Sequence, residues 1–102
     1  MKVKFDAPQL AKFCREHGVS RLELFGSALR DDFREDSDVD LLCTLRPDKK
    51  CGLFDWVALK FDFEKFFGRP VDLVSRQAIE RSRNPYRRIP ILKTAVPIYV
   101  EG

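Results

Sequence analysis

Histidine occurs once in this 102-residue chain, at His17, and cysteine only three times, at Cys14, Cys43 and Cys51. A single imidazole argues against a His-rich metal centre, and a Ser–His–Asp triad would have to use His17, beside Gly18 at a predicted helix end. An odd number of cysteines with no C-x-x-C pair argues against a disulfide framework and a structural zinc site. Reduced thiols in a cytoplasmic setting are the expectation. No apolar run approaches the ~20 residues that span a bilayer, and no apolar stretch follows the two lysines of residues 1–6. Neither a membrane span nor a secretory signal is therefore predicted. Repeats, low-complexity tracts and linker-like stretches are also missing.

What is present is core material and charge. The composition is 44% hydrophobic and 34% charged, with nine Phe, two Tyr and one Trp, which suits one folded domain over residues 1–102. The net charge of +3 is too small to announce a nucleic-acid binder, but it is unevenly spread. Residues 76–93 hold Arg76, Arg81, Arg83, Arg87, Arg88 and Lys93 against Glu80 alone. Residues 31–40 hold Asp31, Asp32, Glu35, Asp36, Asp38 and Asp40 against Arg34. Two readings are open: two solvated faces, or a site that brings cations and phosphates together.

Asp6 with Gln9 three residues later and Pro8 in the first turn predicts a helix from Ala7 to about His17, ended by Gly18. Arg21–Phe25 alternates as a strand, and Ala28–Phe33 reads as one or two helical turns. Val39–Leu45 is a second strand, with Asp38, Asp40, Leu42 and Thr44 on one face. After a loop at Pro47–Gly52, Leu53–Phe67 is the clearest helix, closed by Gly68 with Pro70 beyond. A short strand is expected at Val71–Val74, helix at Gln77–Arg83, and a terminal strand at Ile98–Val100. Pro90 argues against one continuous helix over 85–96, leaving a helix that starts near it or is kinked. The order implies an α/β (α+β) domain, a small mixed sheet with helices packed on it. Strands 39–45 and 71–74 would be parallel through a right-handed crossover, and 21–25 and 39–45 antiparallel.

Asp38 and Asp40 lie one residue apart on a strand, so both carboxylates emerge on one face, roughly 6–7 Å apart. Two carboxylates so placed repel unless a cation lies between them, and their hard oxygens suit Mg²⁺. The topology brings Asp72 to the same sheet end, where three carboxylates could hold two cations as in phosphoryl transfer. Gly26-Ser27, at the end of the first strand, would offer backbone and hydroxyl donors to a phosphate opposite them, with Arg30 one turn on. Taken singly, Gly-Ser is an ordinary turn and D-x-D an ordinary strand start. Their order and spacing make the combination informative.

Leu24-Phe25-Gly26-Ser27 followed by Ser37-Asp38-Val39-Asp40-Leu41 resembles the signature of the nucleotidyltransferase superfamily that includes DNA polymerase beta. The chain looks most like its minimal nucleotidyltransferases, the antitoxin-type proteins paired with HEPN toxins. The likeness extends through Leu59–Gly68, Pro70–Val74 and Asn84–Arg88. The resemblance implies a polymerase beta palm-like fold, with Asp38 and Asp40 as ligands of two Mg²⁺ ions. Asp72 would be the third ligand and the acceptor of the attacking hydroxyl's proton. Gly26, Ser27 and Arg30 would hold the phosphates of a nucleoside triphosphate, ATP first among them. One departure stands out: Leu29 and Asp31 take places where family members often carry Ala and Gly.

The same resemblance implies a HEPN-type toxin as partner and acceptor of the nucleotide. A second reading keeps the fold but makes it a binding module that neutralises the toxin by contact. The helix at 53–67 carries ten apolar residues of fifteen, with Phe54, Phe61 and Phe66 bordering its polar stripe. That surplus fits an interface with a second copy or another protein, or a core that uses every aromatic. Nucleic acid is the least favoured partner, because the basic segment has only Tyr86 interleaved and carries no recognised motif.

Overall fold

The computed structural model describes residues 3–34 and 36–101. Helix α1 (Ala7–Glu16) opens where Asp6 Oδ1 accepts a hydrogen bond from the Gln9 amide at 3.0 Å. Its Leu10 and Cys14, one turn apart, are fully buried. Gly18, at a φ of 72° that only glycine adopts freely, turns the chain into strand β1 (Val19–Phe25). A 3₁₀ turn, Gly26–Leu29, follows, and the second strand is β2 (Val39–Leu45). Helix α2 (Leu53–Phe67) begins where the Gly52 amide donates to Asp55 Oδ2 at 3.2 Å and ends at Gly68 in the left-handed region. Strand β3 (Val71–Ser75), helices α3 (Arg76–Glu80) and α4 (Pro85–Thr94), and strand β4 (Val96–Val100) complete the order.

The four strands lie in the order β3-β2-β1-β4. Strand β1 is antiparallel to both β2 and β4, while β2 and β3 are parallel. The mixed sheet and the crossover through α2 are as the pattern predicts. Alternation along the strands sends Leu22, Leu24, Val39, Leu41, Cys43, Val71 and Leu73 to one side, where they pack on Leu10, Cys14, Leu59 and Phe63 of α1 and α2. The opposite side has its own smaller core, in which Phe25 and Leu42 meet Ile79 and Val74, with Ile91, Leu92 and Ala95 against them. Helices α3 and α4 thus cover the face that also carries Asp40 and Asp72. No helix among the described residues is long and apolar enough to cross a membrane.

The structure corrects four expectations. Pro90 lies inside α4, which runs unbroken from Pro85 to Thr94. Pro90 itself is exposed, and packing of the half-buried Ile91 and Leu92 offsets the missing donor. Strand β4 starts at Val96 and accommodates Pro97, which an edge strand tolerates because one side of it needs no partner. Helical geometry after β1 stops at Leu29, short of Phe33, and α3 stops at Glu80, short of Arg83. Phe66, at the border of the polar stripe of α2, packs on Phe13 and Phe67 and so serves the core. Phe54 and Phe61 do stand out, 88% and 51% exposed, beside Leu53 and Val57.

Candidate functional site

The residues singled out by the D-x-D and Gly-Ser patterns meet at one end of the sheet. Phe25 is the register partner of Asp40, and Asp40 that of Asp72, so one row across β1, β2 and β3 ends in two neighbouring carboxylates. Gly26 continues β1 directly past this row, at a φ of 60°. A Cβ at that position would stand 2.5 Å from Asp40 Oδ2, so the close approach needs a residue without one. Asp40 Oδ2 accepts from the Ser27 amide at 3.0 Å and lies 2.9 Å from Ser27 Oγ. That hydroxyl is also 3.1 Å from the Asp38 carbonyl, and its one proton serves a single acceptor at a time. Ser27 is therefore seated against both strand-start aspartates.

The carboxylates of Asp38 and Asp72 are exposed, and neither has an ion-pair or hydrogen-bond partner among the described residues. Asp40 is half-buried. Like charges on adjacent strands repel, and no three His, Cys, Asp or Glu side chains among the described residues close into a cation cage. The chemistry of the set nevertheless fits Mg²⁺: the donors are hard carboxylate oxygens, and two of the three carboxylates are open to solvent. Approach to Asp38 is held in place from below. The Val39 amide donates to the Pro70 carbonyl at 2.9 Å, and Arg69 lies over the Phe33 ring while donating to the Arg34 carbonyl at 3.0 Å.

Arg30 is the site residue that does not join this group. Its guanidinium pairs with Asp32 at 3.3 Å, and both side chains are exposed. The remaining chemistry of the chain lies elsewhere. His17 stacks on Phe13 and sits 3.3 Å from Asp62, leaving it no serine partner. Cys14, Cys43 and Cys51 are free thiols, and burial pushes the first two up to about 12, which leaves them protonated at neutral pH. A cavity of about 450 Å³ opens between Thr44, Arg46, Cys51, Gln77 and Glu80. It lies toward the far end of β2, roughly 13 Å along the strand from Asp40. Glu23, which no motif marks, is buried on the carboxylate face; its one sequence signal is an acidic residue between Leu22 and Leu24 in a strand packed on both sides.

A mixed sheet that sets a Gly-Ser turn against a D-x-D strand and a third carboxylate defines a class of protein. The chain belongs to the nucleotidyltransferase domain family, whose sequence profile matches residues 7–98. It is 35% identical over 83 residues to a candidate protein adenylyltransferase of Methanocaldococcus jannaschii, covering 81% of this chain and 83% of that protein. Its fold matches that of a candidate minimal nucleotidyltransferase at 34% identity and a TM-score of 0.66, over 89% of this chain and 87% of the other. At 16% identity and a TM-score of 0.59, it shares the fold of a chain in the complex of a tri-AMPylated Shewanella oneidensis HEPN toxin with an MNT antitoxin, covering 92% and 69%.

Proposed function

We propose that this chain transfers a nucleoside monophosphate, AMP first among them, from a triphosphate to a hydroxyl of a partner protein. We take that partner to be a HEPN-type toxin, which the transfer neutralises. The observation that carries the reading is the row Asp72–Asp40–Phe25, with Gly26-Ser27 directly above it. Hydrogen-bond donors suited to a phosphate face carboxylates suited to a cation, with a glycine admitting the close approach. The AMPylated toxin in the related complex supports AMP as the transferred group and a protein as acceptor.

In this reading Asp38, Asp40 and Asp72 would hold Mg²⁺. The ion would neutralise phosphate charge and favour attack at the α-phosphorus. Ser27 would exchange partners: its amide and hydroxyl, engaged by Asp40, would donate to terminal phosphate oxygens. Asp72, exposed at the sheet edge, accepts the proton of the acceptor hydroxyl. The new bond joins that oxygen to the α-phosphorus, the bond to the bridging oxygen breaks, and pyrophosphate leaves. Arg30 reaches the phosphates after release from Asp32.

The alternative, a binding module with a weak site, draws on the self-engaged state of these donors and on Asp31 beside them. One comparison separates the two. Asp38→Ala/Asp40→Ala is expected to abolish transfer from ATP to the partner and to leave the partner toxic in cells. Full neutralisation by that variant at equal abundance would sink the enzymatic reading and leave the binding module.

A further inference from the structure

Glu23 is the one charged side chain that is buried among the described residues, with 2% of it exposed. Glu23, Leu42 and Val74 form a row across β1, β2 and β3, adjacent to the row of Phe25, Asp40 and Asp72. The two rows are roughly 6–7 Å apart along the strands. Arg76, the first residue after β3, donates from Nη1 to Glu23 Oε1 and from Nε to Glu80 Oε1 at 2.8 Å. Arg21 Nε lies 3.1 Å from the same Glu23 oxygen. An ion pair thus reaches from the end of β3, across the middle strand, to β1.

Burying such a pair has a desolvation cost that apolar residues of the same size avoid, so stability alone gives no reason for it. Placement gives one. Strand β3 is an edge strand, bound to the sheet on one side only and over five register pairs. It carries Asp72 beside Asp40 at a strand spacing of about 4.8 Å, where two carboxylates push the strands apart. The bridge ties the end of β3 to β1 across β2, one row away.

We propose that Glu23 and Arg76 are positioning residues, a brace that holds β3 in register against this repulsion so that Asp72 stays beside Asp40. The proposal rests on the nucleotidyltransferase reading for its catalytic consequence, but its structural half can be tested without it. Replacing the whole cluster by apolar residues, Arg21→Met/Glu23→Leu/Arg76→Met, strands no buried charge and is expected to preserve the melting temperature. In the cation-free protein, the Val71–Val74 amides of this variant should exchange about tenfold faster, while α1 and β1 amides are unchanged. In the transfer assay, kcat should fall roughly tenfold to a hundredfold, because an ångström of misplacement at a reacting group has that effect. The KM for ATP should stay within about threefold, since Gly26 and Ser27 keep their places. Arg76→Lys, which retains a cation within reach of Glu23, should recover most of kcat.

Unchanged exchange at β3 would overturn the brace, and so would faster exchange with wild-type kcat. If the wild-type protein transfers no nucleotide, the functional reading fails by itself, and the exchange measurement still decides whether the brace exists.

Discussion

Adding one methyl group at position 26 puts the geometry of the site to a quantitative test. Gly26 and Gly68 have similar backbone angles, with φ of 60° and 69°. A Cβ at Gly68 meets nothing within 4 Å, whereas at Gly26 it would lie 2.5 Å from Asp40 Oδ2. Gly68→Ala therefore carries only the left-handed strain, about 1 kcal/mol after the entropy gained by stiffening the unfolded chain. Gly26→Ala carries the same strain and also displaces the Asp40 carboxylate from the Ser27 amide and hydroxyl. Two such bonds at a half-buried site add about 2 kcal/mol, for a total near 3 kcal/mol. In a domain of this size 1 kcal/mol shifts the melting temperature by about 4–8 °C. Thermal melts should then fall by about 5 °C for Gly68→Ala and by about 15 °C for Gly26→Ala. In an Asp40→Ala background the carboxylate is gone, and Gly26→Ala should drop to the cost of Gly68→Ala, a coupling of about 2 kcal/mol. Equal effects of the two single substitutions, or no relief in the double variant, would refute the contact between position 26 and Asp40.

Other perturbations have equally direct readouts. Pro90→Ala restores a helix donor inside α4 and should raise stability by about 1–2 kcal/mol in urea unfolding; a loss would show that the ring makes contacts the exposed position does not suggest. Phe54→Asp with Phe61→Asp should leave the melting temperature within a few degrees, both rings being largely in solvent, and should weaken partner binding if α2 is the contact surface. A disulfide-exchange reagent at pH 8 should modify one thiol of the native protein, half-buried Cys51, and all three after unfolding. Burial pushes the Cys14 and Cys43 thiols up to about 12 from an ordinary 9.0, so the protonated form is the one the fold favours. Their contribution is complete below about pH 9 and is lost as pH rises toward 12, so the urea midpoint should decline across that interval.

Where local chemistry and tertiary packing agree, the pattern of residues was enough to place an element. Helix α2 has a glycine at the position its C-terminus needs, and β2 alternates cleanly, so both matched their expected bounds. The parallel pairing of β2 with β3, and with it the adjacency of Asp40 and Asp72, followed from the crossover alone. Pro90 shows the opposite case, in which packing of Ile91 and Leu92 outweighs a local helix breaker. Arg30 shows another, because no spacing rule indicates that Asp32, two residues on, takes its guanidinium. Glu23 escaped notice because its partner, Arg76, is 53 residues away in sequence and next to it only once three strands are assembled.

The central claim is transfer of the α-phosphoryl nucleotide, and one labelling experiment addresses it directly. The protein is incubated with Mg²⁺, the proposed HEPN-type partner, and ATP labelled at either the α- or the γ-phosphorus. The account predicts that α-label alone moves to the partner, and that Asp40→Asn, which keeps the shape of the side chain, abolishes the transfer. Transfer of γ-label, or α-label moving equally well in the Asp40→Asn variant, would contradict it.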